Sequence, residues 1–418
     1  MDEKLIIEVN RCFNCINKPC MNSCPLNNDI PSVISLVKEN RFEDAYTVLT
    51  RTTVLPAITS LVCPHEKQCK SKCTATFKSE AIDIGSVEHF LGILAIEKGW
   101  KFSKISSELK DLNVAVIGGG PAGLTASAFL ARHGATVSIF EKQEKLGGIL
   151  RYGIPEFRLS KDLLDKAIEK ILESGRINVN LGVNFGKDIS FQKLKGEFDF
   201  ILLSFGANTS NPMSIMGEDL NGVFGGNELL ECGLHPDYTN KIVIVSGGGN
   251  VAMDVARSVK RLGAKKVLVA YRRSEEEMPA ESTEIKEAKK EGVEFLFYTN
   301  LIKILGDKAV EKVECIKTFY DGERLRENLK NVVGSNFELD ADFVVKAIGA
   351  SSDKNLVNSL GLELDSKGYI KVDENYRTSD DKVFAIGDLN GGKATVAWAA
   401  ASGRKVAEYI KNMCKERT

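Results

Sequence analysis

The spacing of apolar residues along this 418-residue chain changes near position 113. Before it, in residues 30–49 and 86–97, apolar side chains recur every three or four positions, which predicts helices and no clear strand. After it, short apolar runs alternate with helical stretches. The order of strand, glycine turn, helix and strand occurs in residues 114–140 and again in residues 242–271. The chain therefore holds two similar units whose alternating strands and helices predict parallel sheets.

The first glycine turn has the form GxGxxG, with Gly118, Gly120 and Gly123 between an apolar strand and a helix. In dinucleotide-binding units the first glycine allows the tight turn, the second admits a pyrophosphate, and the third lets helix and strand pack closely. The phosphates then lie at the helix N-terminus. Glu141 ends the next strand, where a carboxylate can bind ribose hydroxyls. This pattern predicts bound NAD or FAD.

A second signal near the end of the chain favours FAD at this turn. The apolar run in residues 383–388 ends in Gly387 and Asp388 and precedes a helical stretch. This arrangement resembles the second FAD motif of flavoproteins with two dinucleotide-binding domains. The resemblance implies that Asp388 binds the ribityl chain and that the following helix begins at the pyrimidine edge of the flavin.

The second glycine turn predicts a nicotinamide nucleotide, and NADPH rather than NADH. Residues 247–252 give GxGxxA directly after a strand. Where an acid would meet a free 2′-hydroxyl, this chain has Arg272 and Arg273, whose guanidinium groups suit a 2′-phosphate. The alternative is a solvated basic turn that pairs with the acidic run at residues 275–277.

Seven of the ten cysteines lie within the first 73 residues. Such crowding indicates metal ligation rather than disulfides. The first run reads C-x2-C-x4-C-x3-C-P, close to a ferredoxin pattern. Iron–sulfur clusters are favoured over structural zinc, since a flavoprotein without a dithiol needs an electron outlet and zinc carries no electrons. The seven are Cys12, Cys15, Cys20, Cys24, Cys63, Cys69 and Cys73.

Seven cysteines are one ligand short of two clusters with four ligands each. A non-cysteine side chain can fill the remaining position, and spacing alone does not choose among its neighbours in the sequence. The candidates are His65, Glu66, Glu80, Glu88 and His89.

Composition and charge exclude several classes of function. With 56 basic and 57 acidic residues the formal net charge is -1, which argues against a nucleic acid or an anionic membrane as main partner. No apolar run approaches the ~18 residues of a membrane span and no signal peptide is visible, so we expect a cytoplasmic protein. No close cysteine pair follows the first glycine turn, which disfavours a disulfide reductase.

The chain resembles the small subunit of glutamate synthase and its relatives over nearly its whole length. Those relatives include the flavin subunit of bacterial dihydropyrimidine dehydrogenase and the large subunit of the bifurcating ferredoxin:NADP transhydrogenase. Besides the cysteine array, the matching stretches are IDIGSVEHF (82–90), IGGGPAGLTAS (117–127), GGILRYGIPEFRL (147–159), GGGNVAMDVARS (247–258), YRRSEEEMPA (271–280) and AIGDLNGG (385–392).

The resemblance implies an α/β protein with two Rossmann-like domains behind a helical domain that holds two [4Fe–4S] clusters. The implied domains are iron–sulfur (1–105), FAD-binding in two parts (106–238 and 344–418) and, inserted between them, NAD(P)H-binding (239–343). It also implies two ligand groups. The first set is Cys12, Cys15, Cys20 and Cys73, and the second set is Cys24, Cys63, Cys69 and Glu88.

The nucleotide contacts are carried over in the same way. The implied FAD contacts are Gly118, Gly120, Pro121, Ala122, Gly123, Glu141, Gly148, Arg158, Gly387, Asp388, Thr395 and Val396. The implied nicotinamide contacts are Gly247, Gly249, Asn250, Val251, Arg272 and Arg273. No catalytic side chain is assigned, because hydride passes directly from nicotinamide to flavin.

The implied function is an electron-input subunit that passes electrons from NADPH through FAD to two clusters and a partner, most simply of glutamate synthase type. The alternative partners are a pyrimidine-reducing subunit, a ferredoxin-like acceptor of a transhydrogenase, or another metalloenzyme. A complete enzyme is disfavoured because no residues remain to build a substrate pocket, and a zinc-bound adaptor is the third hypothesis. We therefore expect a hetero-oligomer.

Overall fold

The computed structural model describes residues 1–102 and 105–416. They form two compact units. The first unit contains Met1–Arg151, Glu156–Gly206 and the chain from Lys354 onward, and the second contains Tyr152–Pro155 and Ala207–Asp353. The second unit is therefore inserted in the sequence of the first.

The first unit begins with short helices, and residues 1–102 contain no strand. Asp2 and Asp29 start two of these helices by accepting hydrogen bonds from backbone N–H groups of the first turn. The helices are α1 (Glu3–Asn10), α2 (Pro19–Asn22), α3 (Ile30–Lys38), α4 (Phe42–Leu49), α5 (Pro56–Val62) and α6 (Ile84–Lys98). Their core mixes aliphatic side chains with cysteine thiols, so the helices enclose the cysteine array.

Helices α5 and α6 approach each other closely because Gly92 has no side chain. A Cβ at Gly92 would come within 2.4 Å of the backbone nitrogen of Ala57 and 2.7 Å of its Cα. Backbone atoms cannot turn aside as a flexible side chain can. This contact fixes the distance between the two helices that carry Cys63 at the end of one and Glu88 in the other.

The remainder of the first unit is built on a five-stranded parallel sheet of order β16-β4-β1-β2-β3. Strands β1, β4 and β16 are almost wholly buried, as continuous apolar runs in parallel sheets require, whereas β2 alternates between half-buried and buried positions. The strands are β1 (Asn113–Ile117), β2 (Thr136–Glu141), β3 (Ile177–Leu181), β4 (Phe200–Leu203) and β16 (Val383–Ala385). The helices are α7 (Pro121–Arg132), α8 (Ile149–Tyr152), α9 (Lys161–Leu172), α10 (Phe191–Glu197), α14 (Lys354–Ser359) and α15 (Val396–Glu416).

The second unit repeats the plan with a parallel sheet of order β6-β14-β7-β8-β9 and adds antiparallel strands. Strand β11 pairs with β10, β12 and β13, and β5 pairs with β15. The strands are β5 (Thr209–Ser210), β6 (Val223–Gly225), β7 (Ile242–Ser246), β8 (Lys266–Ala270), β9 (Glu294–Leu296), β10 (Thr299–Leu305), β11 (Lys312–Tyr320), β12 (Leu329–Asn331), β13 (Phe337–Asp340), β14 (Phe343–Lys346) and β15 (Ala350–Ser351). The helices are α11 (Gly226–Cys232), α12 (Asn250–Arg261) and α13 (Ser282–Lys290).

The predicted fold class is confirmed: a helical N-terminal segment precedes two nucleotide-binding units with parallel sheets. The boundaries assigned to the four domain segments stay a prediction. In residues 1–102 and 105–416, no helix is both long and apolar enough to cross a membrane.

We expect Gly92→Ala to destabilise the helical segment, since overpacking a close contact costs about 1–3 kcal/mol. The apparent midpoint of thermal unfolding, followed by circular dichroism under anaerobic conditions, should fall by a few degrees. Gly196→Ala in α10 is the matched control, because no atom lies within 4 Å of a Cβ there. Equal midpoints for the two variants would show that the α5–α6 contact is not as tight as described.

Candidate functional site

The first glycine turn has the geometry that a dinucleotide requires. A Cβ at Gly118, which has φ +102°, would lie 2.7 Å from the carbonyl oxygen of Ser204. A Cβ at Gly123 would lie 2.1 Å from the carbonyl oxygen of Gly118, so helix α7 packs directly on its own turn. The nearest atom that a Cβ at Gly120 would meet is the Cα of Gly148, at 3.8 Å. The open position is the one that must admit a pyrophosphate at the start of α7.

Glu141 lies at the end of β2 with its carboxylate buried against this turn. Its Oε2 accepts from the backbone N–H of Gly119 at 2.7 Å, and its Oε1 accepts from that of Gln143 at 2.9 Å. These bonds fix the orientation of the carboxylate, and each oxygen keeps a further lone pair. Glu141 can therefore hold ribose hydroxyls beside the turn.

The last FAD motif meets the first one inside the same unit. Gly387 has φ +70° and donates its backbone N–H to Ser402 Oγ at 2.9 Å. A Cβ at Gly403 would lie 2.3 Å from the carbonyl oxygen of Ala122, so helices α7 and α15 pack at backbone distance. Burial raises the pKa of the Asp388 carboxyl, a cost that hydrogen bonds from ligand hydroxyls would offset.

The other predicted FAD contacts surround this region of the first unit. A Cβ at Gly148 would lie 2.8 Å from Gly120 Cα, so the segment around Gly148 lies directly over the glycine turn. Thr395 accepts a hydrogen bond from the backbone of Trp398 just before α15, and Val396 opens that helix. Arg158 is half-buried. Within this unit, these residues fit FAD.

The second glycine turn repeats the pattern in the second unit. Gly247 has φ +142°, and a Cβ there would lie 2.2 Å from the carbonyl oxygen of Ala347. At Gly249 the nearest atom, of Pro279, is 3.9 Å away, so this position is open. The side chain of Asn250 accepts from the backbone N–H of Glu281 at 3.0 Å. Asn250 and Val251 begin helix α12 at the turn.

Arg272 and Arg273 follow β8, and acids that the alternative of a solvated basic turn would pair with them have other partners. Glu275 pairs with Lys289 at 2.6 Å, and Glu277 caps its own turn through Ser274 and accepts from Tyr320. In residues 1–102 and 105–416, no carboxylate lies within ion-pair distance of either guanidinium. This favours a bound anion over the solvated basic turn.

Arg326 is a third cation at this place, and the sequence did not indicate it. The hairpin of β11 and β12 lies against the arginine turn, since Thr318 Oγ1 donates to the carbonyl oxygen of Arg272 at 2.7 Å. The hairpin carries Arg326 near its tip. Burial, and then the charges of Arg326 and Arg273, lower the pKa of Arg272. Three like charges without a paired carboxylate predict a phosphate site.

The backbone bends sharply between the cysteines of the first set. Asn14 and Lys18, between the first three cysteines, have φ of +50° and +42°, which bends the chain sharply. Cys15 Sγ lies 2.9 Å from Thr74 Oγ1, and the backbone N–H of Ile82 donates to Cys73 Sγ at 3.4 Å.

Burial and the neighbouring thiols raise the pKa values of two cysteines in this set, Cys12 and Cys20. The pKa of Cys20 is raised to about 11, first by burial and then by Cys12 and Cys73. The same causes, with Cys15 and Cys73 as neighbours, raise the pKa of Cys12. A thiolate at Cys12 or Cys20 is therefore costly without a cation.

The second set is more deeply buried and includes Glu88. Burial raises the pKa of Glu88 to about 7, and its Oε1 accepts from Asn28 Nδ2 at 2.8 Å. Burial and then the charge of Glu88 raise the pKa of Cys24 to about 11, and they also raise that of Cys69. Anionic donors packed in an apolar core fit a cationic iron cluster, which supplies the missing positive charge.

Of the other candidates for the eighth ligand, none shares the position of Glu88 among these thiols. Glu66 and Glu80 are exposed, and His89 Nδ1 lies 3.2 Å from both Ser60 Oγ and the Ala57 carbonyl oxygen. His65 is the remaining rival, because its Nε2 is buried with no hydrogen-bond partner in the described residues. The geometry therefore favours Glu88.

Cys63 of the second set packs against helix α15. It forms one apolar cluster with Leu26, Ala397, Ala400 and Ala401, and Cys24 lies at its border. Ala397 is next to Val396, a predicted flavin contact. The second cysteine set and the FAD motif at the start of α15 are thus neighbours within the first unit.

Three residues of the candidate sites are not marked by any motif in the sequence. Asn28 orients Glu88 and is itself held by Thr52 Oγ1 at 2.7 Å, whereas Thr74 contacts Cys15 and Arg326 joins the arginines. Each acts through a contact distant in the sequence, so no local motif marks it. For Arg326 the only available signal was the cluster of charges in residues 321–330.

Comparison with known families matches nearly the whole chain. Residues 112–403 match the family of pyridine nucleotide-disulphide oxidoreductases. Residues 1–100 match dihydropyrimidine dehydrogenase domain II, a 4Fe-4S cluster domain.

Several curated proteins are similar along most of their length. The glutamate synthase [NADPH] small chain of Halomonas elongata is 34% identical, over 96% of this chain and 89% of that one. The Escherichia coli glutamate synthase [NADPH] small chain is 33% identical, over 97% and 90%. The NADP(+)-dependent formate dehydrogenase subunit beta of Moorella thermoacetica is 33% identical, over 96% of this chain and 61% of that one.

Among solved structures, FprA of Mycobacterium tuberculosis in complex with NADPH matches with a TM-score of 0.64 and 19% identity. The match covers 73% of this chain and 85% of FprA. Lactococcus lactis thioredoxin reductase matches with a TM-score of 0.55 and 22% identity, over 73% and 100%. At these identities the two structures show a shared fold.

We expect the protein purified anaerobically to contain about eight irons, the number in two [4Fe–4S] clusters. Glu88→Ala should change the electron paramagnetic resonance spectrum of one cluster and leave the other unchanged, because Glu88 is assigned to the second cysteine set and its charge acts on Cys24 and Cys69 of that set. Glu97→Ala, an exposed substitution on the same helix, is the control. Iron near four, stoichiometric zinc, or an unchanged Glu88→Ala spectrum would contradict this assignment.

We expect Arg272→Ala with Arg273→Ala to weaken NADPH binding by a few kcal/mol, since hydrogen bonds to charged groups contribute ~1.5–3 kcal/mol each. Arg326→Ala should raise the KM for NADPH about three- to tenfold, a smaller effect because solvent screens an exposed cation. The KM for NADH should hardly change in either variant.

Arg324→Ala is the matched control on the same hairpin, since the charge of Arg324 acts on Glu276. Steady-state kinetics with both coenzymes provide the measurement. Wild-type activity that is equal or better with NADH, or an Arg326→Ala effect shared by both coenzymes, would refute the phosphate site.

Proposed function

Since this chain belongs to the glutamate synthase small-chain family, we propose that it is the electron-input subunit of a glutamate synthase-type enzyme. It is an NAD(P)H-dependent oxidoreductase with FAD and 4Fe–4S cofactors. The observation that carries the proposal is the packing of Cys63 on α15, which brings the second cysteine set beside a predicted flavin contact.

When bound, FAD accepts a hydride from the nicotinamide and releases single electrons to iron–sulfur clusters. The chain's own residues bind the two nucleotides and orient them. Gly118, Gly120 and Gly123 shape the pyrophosphate turn, and Glu141 orients the ribose. In the proposed nicotinamide site Arg272 and Arg273 hold the 2′-phosphate. No side chain transfers a proton in this scheme.

We assign the second cysteine set to the cluster nearer the flavin and the first set to the outer cluster. Cys63 of the second set contacts α15, and the charge of Cys20 from the first set acts on Cys69. A carboxylate ligand changes the charge of a cluster and therefore its potential. Glu88 is therefore the residue that distinguishes the two clusters chemically.

A partner subunit follows from what the relatives are called and from what the chain contains. Relatives are named as the small chain of glutamate synthase and as subunit beta of a formate dehydrogenase, so the same electron input serves different catalytic partners. The described residues are taken up by two nucleotide-binding units and the cysteine-bearing helices. We therefore propose a hetero-oligomer, with glutamine-dependent glutamate formation on the partner.

The formate dehydrogenase-type partner is the alternative that a relative's name supports. A pyrimidine-reducing partner is the other, because residues 1–100 match the dihydropyrimidine dehydrogenase domain. A cytoplasmic location belongs to the proposal as well, since cysteine thiolates that bind iron are kept reduced there. Identifying the protein that co-purifies anaerobically decides among these partners.

We expect the isolated chain to reduce artificial dyes with NADPH and NADPH to bleach its flavin absorbance, because the chain itself carries both proposed nucleotide sites. Cys12→Ser should leave dye reduction from FAD intact but abolish electron transfer to the partner, since Cys12 belongs to the outer cluster. Rapid-mixing spectrophotometry measures both steps.

The proposal fails if the pure single chain with NADPH converts glutamine and 2-oxoglutarate, or another metabolite, at ordinary enzymic rates of ~1–10³ per second. It also fails if Cys12→Ser lowers dye reduction and partner reduction to the same extent. The first result would indicate a complete enzyme, and the second would place Cys12 upstream of the flavin.

A further inference from the structure

Three large apolar side chains stand in solvent around the first cysteine set. Ile16, directly after Cys15, is 96% exposed, Phe77 is 86% exposed and Phe13 is 49% exposed. Isolated exposed apolar residues are common on protein surfaces. Three such residues from two segments of chain at one place form a patch, which marks an interaction site.

Contacts between the two segments show that these residues share one surface. Lys78 Nζ lies 5.5 Å from the ring centroid of Phe13, and the Arg11 guanidinium donates to Ser79 Oγ at 3.1 Å. Between them, Cys15 Sγ and Thr74 Oγ1 are 2.9 Å apart. We name Phe13, Ile16 and Phe77 the exit patch, because they belong to the same two segments as Cys15 and Cys73, and Cys15 contacts Thr74 next to Cys73.

The surroundings of the exit patch are basic. Residues 11–24 and 65–80 together carry six lysine or arginine side chains and two glutamates, whereas the whole chain has a net charge of -1. The basic residues are Arg11, Lys18, Lys67, Lys70, Lys72 and Lys78. Arg11, Lys18 and Lys70 form ion pairs with Glu8, Asp29 and Asp83 outside these ranges, so the excess positive charge lies on the other lysines, Lys72 and Lys78 among them. An apolar centre inside a charged rim is the usual composition of a protein interface.

We propose that the exit patch is the docking surface for the electron-accepting protein and that this partner presents an acidic rim around an apolar centre. Complementary charge speeds the encounter and orients the partner, and the apolar contact then brings its redox centre to the outer cluster. This inference rests on the proposed function, since it needs electrons to leave by the first cysteine set. A protein partner is favoured over a membrane because a lipid surface offers no electron acceptor.

The test compares two small acceptor proteins of opposite charge. Rubredoxin is acidic and cytochrome c is basic, and each takes one electron. Per NADPH oxidised, two molecules of acceptor are reduced and one proton is released. With the holoenzyme, reduction of rubredoxin should be fast at low salt and fall about tenfold or more by ~0.5 M salt, whereas cytochrome c should show no such fall.

Two substitutions probe the patch itself. Ile16→Asp and Lys78→Glu should each slow rubredoxin reduction about tenfold at low salt, and Lys78→Arg should restore the wild-type rate. Leu234→Asp is the control, because Leu234 is 80% exposed in the other compact unit and the change in charge is the same. An unchanged cluster spectrum shows that each variant is folded and loaded.

The outcomes separate this inference from the proposed function. Failure of NADPH to bleach the flavin in the wild type would refute the proposed function. Normal bleaching together with wild-type rubredoxin rates in Ile16→Asp and Lys78→Glu would refute the exit patch alone. Two other results would also overturn it: a dimer that dissociates on Ile16→Asp, or patch-dependent sedimentation with phosphatidylglycerol–phosphatidylcholine vesicles.

Discussion

The burial of anionic donors in an apolar core is the constraint on which the N-terminal helices depend. Burial raises the pKa of Glu88 to about 7 and those of Cys20 and Cys24 to about 11, so without metal the protonated, neutral forms of these groups are favoured. Iron supplies the charge that makes the deprotonated donors stable there. The short helices therefore serve as walls around the donors, and little of their stability comes from their own length.

The parts of the fold that the sequence predicted are those encoded locally. The glycine turns at Gly118 and Gly247 need particular backbone angles within a few residues, and strands buried on both faces read as continuous apolar runs. The cysteine spacing likewise indicates metal without reference to the fold. The grouping of ligands into two sets, and the choice of Glu88, came from resemblance and stay a prediction.

The remaining features depend on contacts between distant segments. Asn28 reaches Glu88 across 60 residues, and Arg326 approaches Arg272 because the β11–β12 hairpin folds back on the arginine turn. Cys63 meets Ala397 because α15 crosses α7 at backbone distance. No periodicity or motif spacing in the sequence relates the two members of any of these pairs, so only the tertiary structure could show the contacts.

The packing of α15 on α7 also determines the order in which parts of the protein can fold during synthesis. Domains fold from the N-terminus as the chain leaves the ribosome, so the cysteine-bearing helices can close first. The flavin pocket, by contrast, needs Gly403 against Ala122 and Gly387 beside it, and α15 follows all of the other described helices in the chain. A nascent chain can therefore enclose its iron ligands well before it can retain a flavin. A chain that lacks α15 would leave Cys63 uncovered on the side that Ala397, Ala400 and Ala401 now cover.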